Sequence, residues 1–338
     1  MKNNDLIFQV LKDYYIDGMT QVQIAQKYNI SRIAVSRLLS KARKKGLIEF
    51  TIKYPENFSN PRVENLEKDF MKKYNLKECI IVQTQKNHTE TLKKLSVQLS
   101  QLFDRIVNNN TFIGVGWGTT LERISKYIEI NNKKDVRVTP LLGGYSKYSD
   151  DAHSNTIARV IANKFSGTSY VVNIPASFDT KEIKESILAD STAKEIFKRV
   201  KMVDLALLCM SDLSNMSNLY KTGQLNEDDL YYLRKLGVIG DINYVFIDKD
   251  GNFIPNEISD KTTNIFPIEM MQSVKNVIGI ATSARKAMIL SAVLKGGLIN
   301  VLITDSDAAN KIIELENMNK FKESAKNSIY TLSKLDLS

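Results

Sequence analysis

The chain has 338 residues, 43% of them hydrophobic and 25% charged, which is the make-up of an ordinary globular protein and excludes a disordered or fibrous one. Its two cysteines, Cys79 in ECIIV and Cys209 in LALLCM, sit in apolar runs. They read as small core hydrophobes, and they exclude a disulfide framework or a CxxC zinc site. The net charge is +9, and residues 1–47 hold nine Lys and Arg against three Asp, so six of those nine charges lie in the first 47 residues. A basic head on a nearly neutral body anticipates a polyanionic partner.

Residues 5–17 (DLIFQVLKDYYID) align Leu6, Ile7, Val10, Leu11 and Tyr14 on one helical stripe, which Gly18 ends. Thr20 caps a second helix, TQVQIAQKY, with Val22, Ile24, Ala25 and Tyr28 as its apolar positions. Asn29-Ile30 makes a tight break. Ser31 caps a third helix that runs to about Lys45, and IEFTIKY (48–54) alternates like the strand of a wing. The stretch from Pro55 to Pro61 is turn-rich. Residues 61–74 then read as an amphipathic helix with Val63, Leu66, Phe70 and Tyr74 inward, linking two domains. From residue 78 apolar runs at 79–83, 111–116, 136–142, 169–174, 203–210, 277–282 and 299–304 alternate with helical stretches at 89–108, 119–130, 151–165, 180–201, 225–235, 284–294 and 306–316. That alternation predicts a mostly parallel sheet covered on both faces. The expected layout is a winged helix-turn-helix domain over 1–54, a linker and linking helix over 55–75, and an α/β domain over 76–338.

The spacing in residues 20–38 carries the strongest local signal. Small Ala25 lets two helices pack closely, Ile30 plugs the turn, and Val35 and Leu38 form the inner face of the second helix. The other face carries Ser31, Arg32, Ser36, Arg37, Lys41 and Lys44, and Gln21 opens the preceding helix. Early positions of such a helix approach base edges in the major groove, where Arg can donate two bonds to guanine; later lysines meet phosphates. A merely solvated basic face is the plainer alternative, but six cations over 31–45 with no acid among them favour double-stranded DNA.

These residues give the chain a resemblance to a known family. The run YYIDGMTQVQIAQKYNISRIAVSRLLSKARKKGLIEFTI is similar to the head of SorC-type (DeoR/CggR-like) sugar-responsive regulators of bacteria. GVGWGTTL (114–121), LLGG (141–144), the helix start near Asn155, GVIGDI (237–242), FIDKDGNFI (246–254), ARKA (284–287) and GGLINVLITD (296–305) follow in the family's order. The resemblance implies an effector domain like those of sugar-phosphate isomerases and deaminases, a phosphorylated-sugar effector, and a homo-oligomer, dimer or tetramer, on operator DNA.

The residues themselves point to where such an effector would sit. Gly116, Trp117, Gly118, Thr119 and Thr120 join an apolar strand to a helix, where unpaired N–H groups and hydroxyls suit a phosphate. Such glycines also serve tight packing alone, and Trp117 suits either a pocket wall or the core. Gly143 and Gly144 follow the next strand, again at a carboxyl end, and are otherwise an ordinary turn. Asn155 suits a sugar hydroxyl or a helix cap equally. Asp241 is an acceptor for sugar hydroxyls or a turn residue. Lys286 opposes a helix dipole and so needs an acidic or phosphate partner, while neighbouring Arg285 either shares that anion or is solvated. Leu142 offers no amine for an imine. The alternative reading is a sugar-phosphate isomerase or deaminase with an accessory head; it needs a base supported by a histidine, and His88 and His153 sit in no such constellation. No catalytic residue, cofactor or metal is expected. The opening residues lack a signal peptide's apolar core, and no apolar run reaches eighteen residues, so the expected place is the cytoplasm, with no membrane partner.

Overall fold

Thr20 and Gln23 reciprocate at the start of α2 (Gln21–Lys27): Gln23 N donates to Thr20 Oγ1 at 3.3 Å and Thr20 N to Gln23 Oε1 at 2.9 Å. This capping box satisfies two backbone donors that a helix start leaves open. The preceding α1 (Asn3–Tyr15) runs into a turn at Gly18, whose φ of +67° is the left-handed conformation glycine adopts without strain. Asn29 takes φ +50° between α2 and α3 (Arg32–Lys44), and Ser31 Oγ caps α3 by accepting from Ala34 N at 3.1 Å. Val10, Ile24 and Val35 are completely buried where the three helices meet. The inner face of α3 is Val35, Leu39 and Ala42, while Leu38 is half-buried at its margin. Positions i, i+4 and i+7 share a face more closely than 35 and 38 do, which corrects the expected pair.

This computed structural model describes residues 3–44, 46–48, 62–131, 134–144, 153–263 and 265–318. The wing strand expected over 48–54 lies beyond Ile48 outside the described residues, as does the Pro55–Pro61 break. The chain divides into two compact units, Met1–Asn60 and Pro61–Ser338. That division corrects the expected linking helix, because α4 (Glu64–Tyr74) belongs to the second unit. Phe70 is buried in that unit's core, and Val63, Leu66 and Tyr74 pack against the same cluster. Glu67, 4% exposed, holds α4 to β1 (Glu78–Val82): Oε1 accepts from Ile81 N at 2.8 Å and from Arg62 Nε at 2.9 Å.

The larger unit is an α/β layer structure. After β1 come α5 (His88–Ile106), β2 (Phe112–Val115), α6 (Thr119–Tyr127), β3 (Arg137–Pro140), α7 (Ser154–Phe165) and β4 (Thr168–Ser169). Next are α8 (Lys181–Leu188), α9 (Ser191–Val200), β5 (Leu205–Asp212), α10 (Asn218–Lys221), α11 (Glu227–Lys235), β6 (Gly240–Ile242) and β7 (Val245–Ile247). The chain continues through α12 (Glu257–Lys261), α13 (Ile268–Ser273), β8 (Asn276–Ile280), α14 (Ala287–Lys295), β9 (Val301–Asp305) and a helix over 306–318.

Strand order is β1-β9-β8-β5-β2-β3-β4, and every pairing along that path is parallel. The faces alternate along β5, with Leu205, Leu207 and Cys209 in one apolar cluster and Ala206, Leu208 and Met210 in the other. Both faces are therefore covered, as a parallel sheet requires. The expected strand at 169–174 shrinks to Thr168–Ser169, because after Tyr170 N donates to Val138 O the chain leaves the ladder. The single helix expected over 180–201 breaks where Asp190 accepts from Thr192 N at 2.7 Å and caps α9. A hairpin, β6 and β7, was not anticipated; it turns through Asn243 and Tyr244 at φ +51° and +67°, and β6 joins β5 antiparallel.

Replacing Glu67 with Ala leaves the buried Ile81 N–H and the Arg62 guanidinium without their carboxylate. Breaking such a pair, discounted for the partly exposed Arg62, is expected to cost about 2–3 kcal/mol. The check is a thermal melt of the second unit, with no change in the melting of the helix-turn-helix.

Candidate functional site

In the first unit Ser31, Arg32, Ser36, Arg37, Lys41 and Lys44 are all exposed, opposite the buried face of α3, and Gln21 is half-buried at the start of α2. The side-chain oxygen of Ser31 is occupied in capping. Arg37, Lys41 and Lys44 therefore share the helical face opposite Val35, Leu39 and Ala42, Arg32 lies to one side of it, and nothing acidic in the helix neutralises them. Arg37→Ala is expected to weaken DNA binding and to lose about 1–3 kcal/mol of discrimination at one base position. Lys44→Ala should weaken all sequences about equally and flatten the salt dependence. Gel-shift titrations at two salt concentrations check both.

In the second unit, β2 leads on to β3 on one side while β5 pairs with β2 on the other. Parallel sheets open a crevice at the carboxyl ends where strand order reverses in this way. Gly116 N donates to Leu207 O at 2.8 Å, which ties the glycine turn to β5. Gly118 has φ +125°, and a Cβ there would come within 2.8 Å of Asn218 Nδ2 and 3.7 Å of Cys209 Cβ. No side chain caps α6 beyond it. Thr119 is exposed, with its hydroxyl 3.4 Å from Asn218 Oδ1, and Thr120 is buried. Burial pushes the pKa of the Cys209 thiol up to about 11.

Lys286 reaches the same place from the other side. It ends the 3₁₀ turn Ala284–Lys286, is 9% exposed, and donates from Nζ to Met210 O at 2.8 Å. Burial holds its pKa below the ordinary lysine value, and Cys209, Arg285, Asp212 and Asp241 are the ionisable groups acting on it. Asp305 sets the approach: its carboxylate accepts from Ser283 N and Ala308 N, fixing Ser283 at φ +79°. Asp241, 3% exposed on β6, accepts from Tyr244 N at 2.9 Å. Burial lifts its pKa to about 7. Arg285 donates to both oxygens of Asp212 at 2.7 and 2.9 Å and to Ser214 Oγ at 2.8 Å, so it is an ion-pair partner rather than a solvated cation.

The remaining expected residues fall into supporting positions. Gly143 lies where a Cβ would meet Ile174 O at 2.5 Å, and Gly144 where one would meet His153 Nε2 at 2.7 Å, so backbone and ring pass too close for any side chain. Asn155 is neither a cap nor directed at an open site. Its Oδ1 accepts from Val172 N at 2.9 Å and its Nδ2 donates to Val172 O at 3.1 Å, while His153 caps α7. Trp117 is 6% exposed and packs with Leu142, Leu213, Leu219, Tyr244 and Phe246 beneath the turn. Sequence reasoning missed Cys209, Asp212, Asn218, Asn243 and Asp305. Asn243, 1% exposed, donates to Leu141 O and brings Oδ1 within 3.0 Å of the position a Cβ on Gly116 would take. These residues lie on other strands and loops, and no local motif announced them.

Asp241 generates a pH prediction. Its folded-state pKa lies above the ordinary value of 3.8, so the folded state holds a proton that the unfolded state has lost between about pH 4 and pH 7. Stability from this group is present at low pH and is lost as pH rises through about 7. Asp241→Asn removes that dependence, so the melting temperature of wild type should fall more than the variant's between pH 5 and pH 8. Equal falls in the two proteins would contradict it.

Comparison with known proteins bears on both units. Residues 60–314 match the family described as "Putative sugar-binding domain", and residues 8–45 match sigma-70 region 4. The chain is 28% identical to the sorbitol operon regulator of Klebsiella pneumoniae over 93% of its own length and 100% of the relative's. It is 26% identical to the deoxyribonucleoside regulator of Bacillus subtilis, covering 92% and 98%. The crystal structure of the full-length sorbitol operon regulator SorC from Klebsiella pneumoniae superposes with a TM-score of 0.69 at 26% identity, over 92% of this chain and 98% of that one. A helix-turn-helix followed by this doubly covered parallel sheet is the architecture of those regulators, and the chain belongs to the SorC-type family of sugar-binding-domain transcriptional regulators.

Proposed function

We propose that the chain is a cytoplasmic repressor of a carbohydrate or nucleoside operon, and that a phosphorylated sugar bound at the carboxyl ends of β2, β5 and β8 sets its affinity for double-stranded operator DNA. The observation that carries this reading is that an uncapped helix start at Gly118 lies against Cys209 of β5, next in sequence to Met210, whose carbonyl holds the buried Lys286. Uncapped N–H groups at the positive end of a helix dipole, together with a desolvated cation, are what a phosphate requires. In this reading Gly116, Gly118, Thr119 and Thr120 seat the phosphate and Lys286 neutralises it. Asp241 accepts from a sugar hydroxyl. Trp117, Gly143, Gly144 and Asn155 shape the wall around it. Relatives named for sorbitol and deoxyribonucleosides support the substrate class. Among the described residues no helix is long and apolar enough to cross a membrane.

The protein acts as a homo-oligomer, a dimer or tetramer, because one helix-turn-helix makes few phosphate contacts and two reach half-sites about one turn apart. The Val63/Leu66/Phe70 stripe packs against the core of its own unit. One feature favours an enzyme as the second reading: a carboxylate poised near neutrality, Asp241, is suited to general-base work. His153, however, is engaged as the cap of α7, and no histidine is among the groups acting on Asp241. The proposal therefore expects binding without turnover.

The test uses full-length protein, a panel of phosphorylated hexoses and pentoses, and their unphosphorylated parents. A ligand of the native state raises the melting temperature by mass action, and only phosphorylated compounds should do so. Lys286→Ala is expected to lower ligand affinity about tenfold to a hundredfold, the loss of a charge-assisted bond worth ~1.5–3 kcal/mol. Thr119→Val should cost less. Both variants should bind DNA as wild type does, with only the effector titration shifted. A neutral sugar that worked as well as its phosphate, or a normal response from Lys286→Ala, would sink the phosphate seat; conversion of any panel member would favour the enzyme.

A further inference from the structure

The exposed face of α3 is polar along its whole length except at one position. Counting from residue 33, the steps i, i+3, i+4, i+7, i+8 and i+11 pick out Ile33, Ser36, Arg37, Ser40, Lys41 and Lys44, all exposed. Ile33 is 66% exposed, although three other apolar residues of the same helix, Val35, Leu39 and Ala42, are buried on the opposite face. A β-branched residue adds nothing to helix formation, since its χ1 freedom is restricted against the preceding turn. Its methyl groups also remain in water. A single exposed apolar side chain is ordinary on a surface. This one stands two residues after the Ser31 cap, in the first turn of α3, one turn before Arg37 on the same face.

That turn is the part of a recognition helix that approaches base edges. A thymine presents an apolar group in the major groove, its C5 methyl, which polar side chains leave unsatisfied and aliphatic ones cover. We propose that Ile33 is a specificity-determining residue that packs on the C5 methyl of one thymine in each half-site, next to the base addressed by Arg37. The inference rests on the DNA-binding reading of α3 and adds to it a residue chosen by exposure rather than by charge. It also predicts that the operator keeps a thymine at that position. Cytosine fails there because its edge offers an amino group and a bare C5, whereas uracil differs from thymine by the methyl alone.

The experiment selects operator duplexes from a random pool with the full-length wild-type protein, then replaces each thymine singly by deoxyuridine. At one thymine per half-site the replacement should weaken wild-type binding about fourfold, the equivalent of ~0.8 kcal/mol per buried methyl at 1.4 kcal/mol per tenfold. Ile33→Ala should bind the thymine and deoxyuridine duplexes equally. Ile33→Val, which keeps a methyl at the contact, should retain part of the difference. Because Ile33 is outside the core, circular dichroism melts of both variants should match wild type, which separates a lost contact from a lost fold. If no deoxyuridine position weakens wild type while Arg37→Ala still weakens binding, the thymine contact is wrong and the recognition helix stands. If Ile33→Ala keeps the full deoxyuridine penalty, another residue reads the methyl. If the protein selects no duplex at all, both readings fall.

Discussion

The larger unit is organised by one constraint: a parallel sheet must be covered on both faces, so every connection between neighbouring strands crosses over through a helix. Here the chain starts at the β1 edge, enters the middle at β2, and travels outward through β3 and β4. It then returns to β5 on the other side of β2 and works back toward β1 through β8 and β9. The reversal between β2 and β5 separates the connections at their carboxyl ends. The bond from Gly116 N to Leu207 O ties the glycine turn to β5 at that point. Glycine is required at 118 by its φ of +125°, and at 116 it keeps the backbone clear of Asn243 Oδ1, which a Cβ would approach to 3.0 Å.

Charge buried at those carboxyl ends explains much of their chemistry. An ammonium and a carboxylate removed from water each favour their neutral forms, and Lys286 and Asp241 are both displaced in that direction. Among the described residues the one hydrogen-bond acceptor of Lys286 is Met210 O, so two of its three donors are available to an anion. Arg285, by contrast, is held by Asp212 and Ser214. Two adjacent basic residues thus differ in role: Arg285 is ion-paired with Asp212, and Lys286 is held by a backbone carbonyl. Asp241 belongs to the β6–β7 hairpin, whose pairing with β5 lays Asp241 opposite Ser211. A ligand touching Lys286 and Asp241 would therefore bridge the sheet and the hairpin, two elements whose relative position could bias a conformational equilibrium.

The helix-turn-helix was legible almost residue by residue. Thr20, Gln23 and Ser31 cap their helices through bonds that span three residues. Gly18 and Asn29 turn where no other constraint is needed, and the basic face of α3 follows from helical periodicity alone. The parallel strands were legible for a related reason: a strand buried on both faces is apolar without interruption, as in LALLC. The glycine turn, Asp241 and Lys286 also stood out, because their residue types are costly or unusual where they fall. Asn155 stood out as well and does other work, clamping Val172, since an amide near a helix start has several uses that sequence does not distinguish.

What the sequence determined by itself was therefore local: which segments are helices, where they are capped, which strands are buried, and that the first 47 residues carry most of the net positive charge. These depend on interactions between residues a few positions apart, whose spacing is written in the chain. Only the tertiary structure decided that α4 packs into the second unit, that β6 and β7 pair as a hairpin on β5, that Cys209, Asn218 and Asn243 gather around the glycine turn, and that Asp212 and Asp305 hold Arg285 and Ser283. Each of those facts depends on contacts between segments tens to more than a hundred residues apart. Strand order and side-chain burial bring them together, and neither is encoded in any one stretch of the chain.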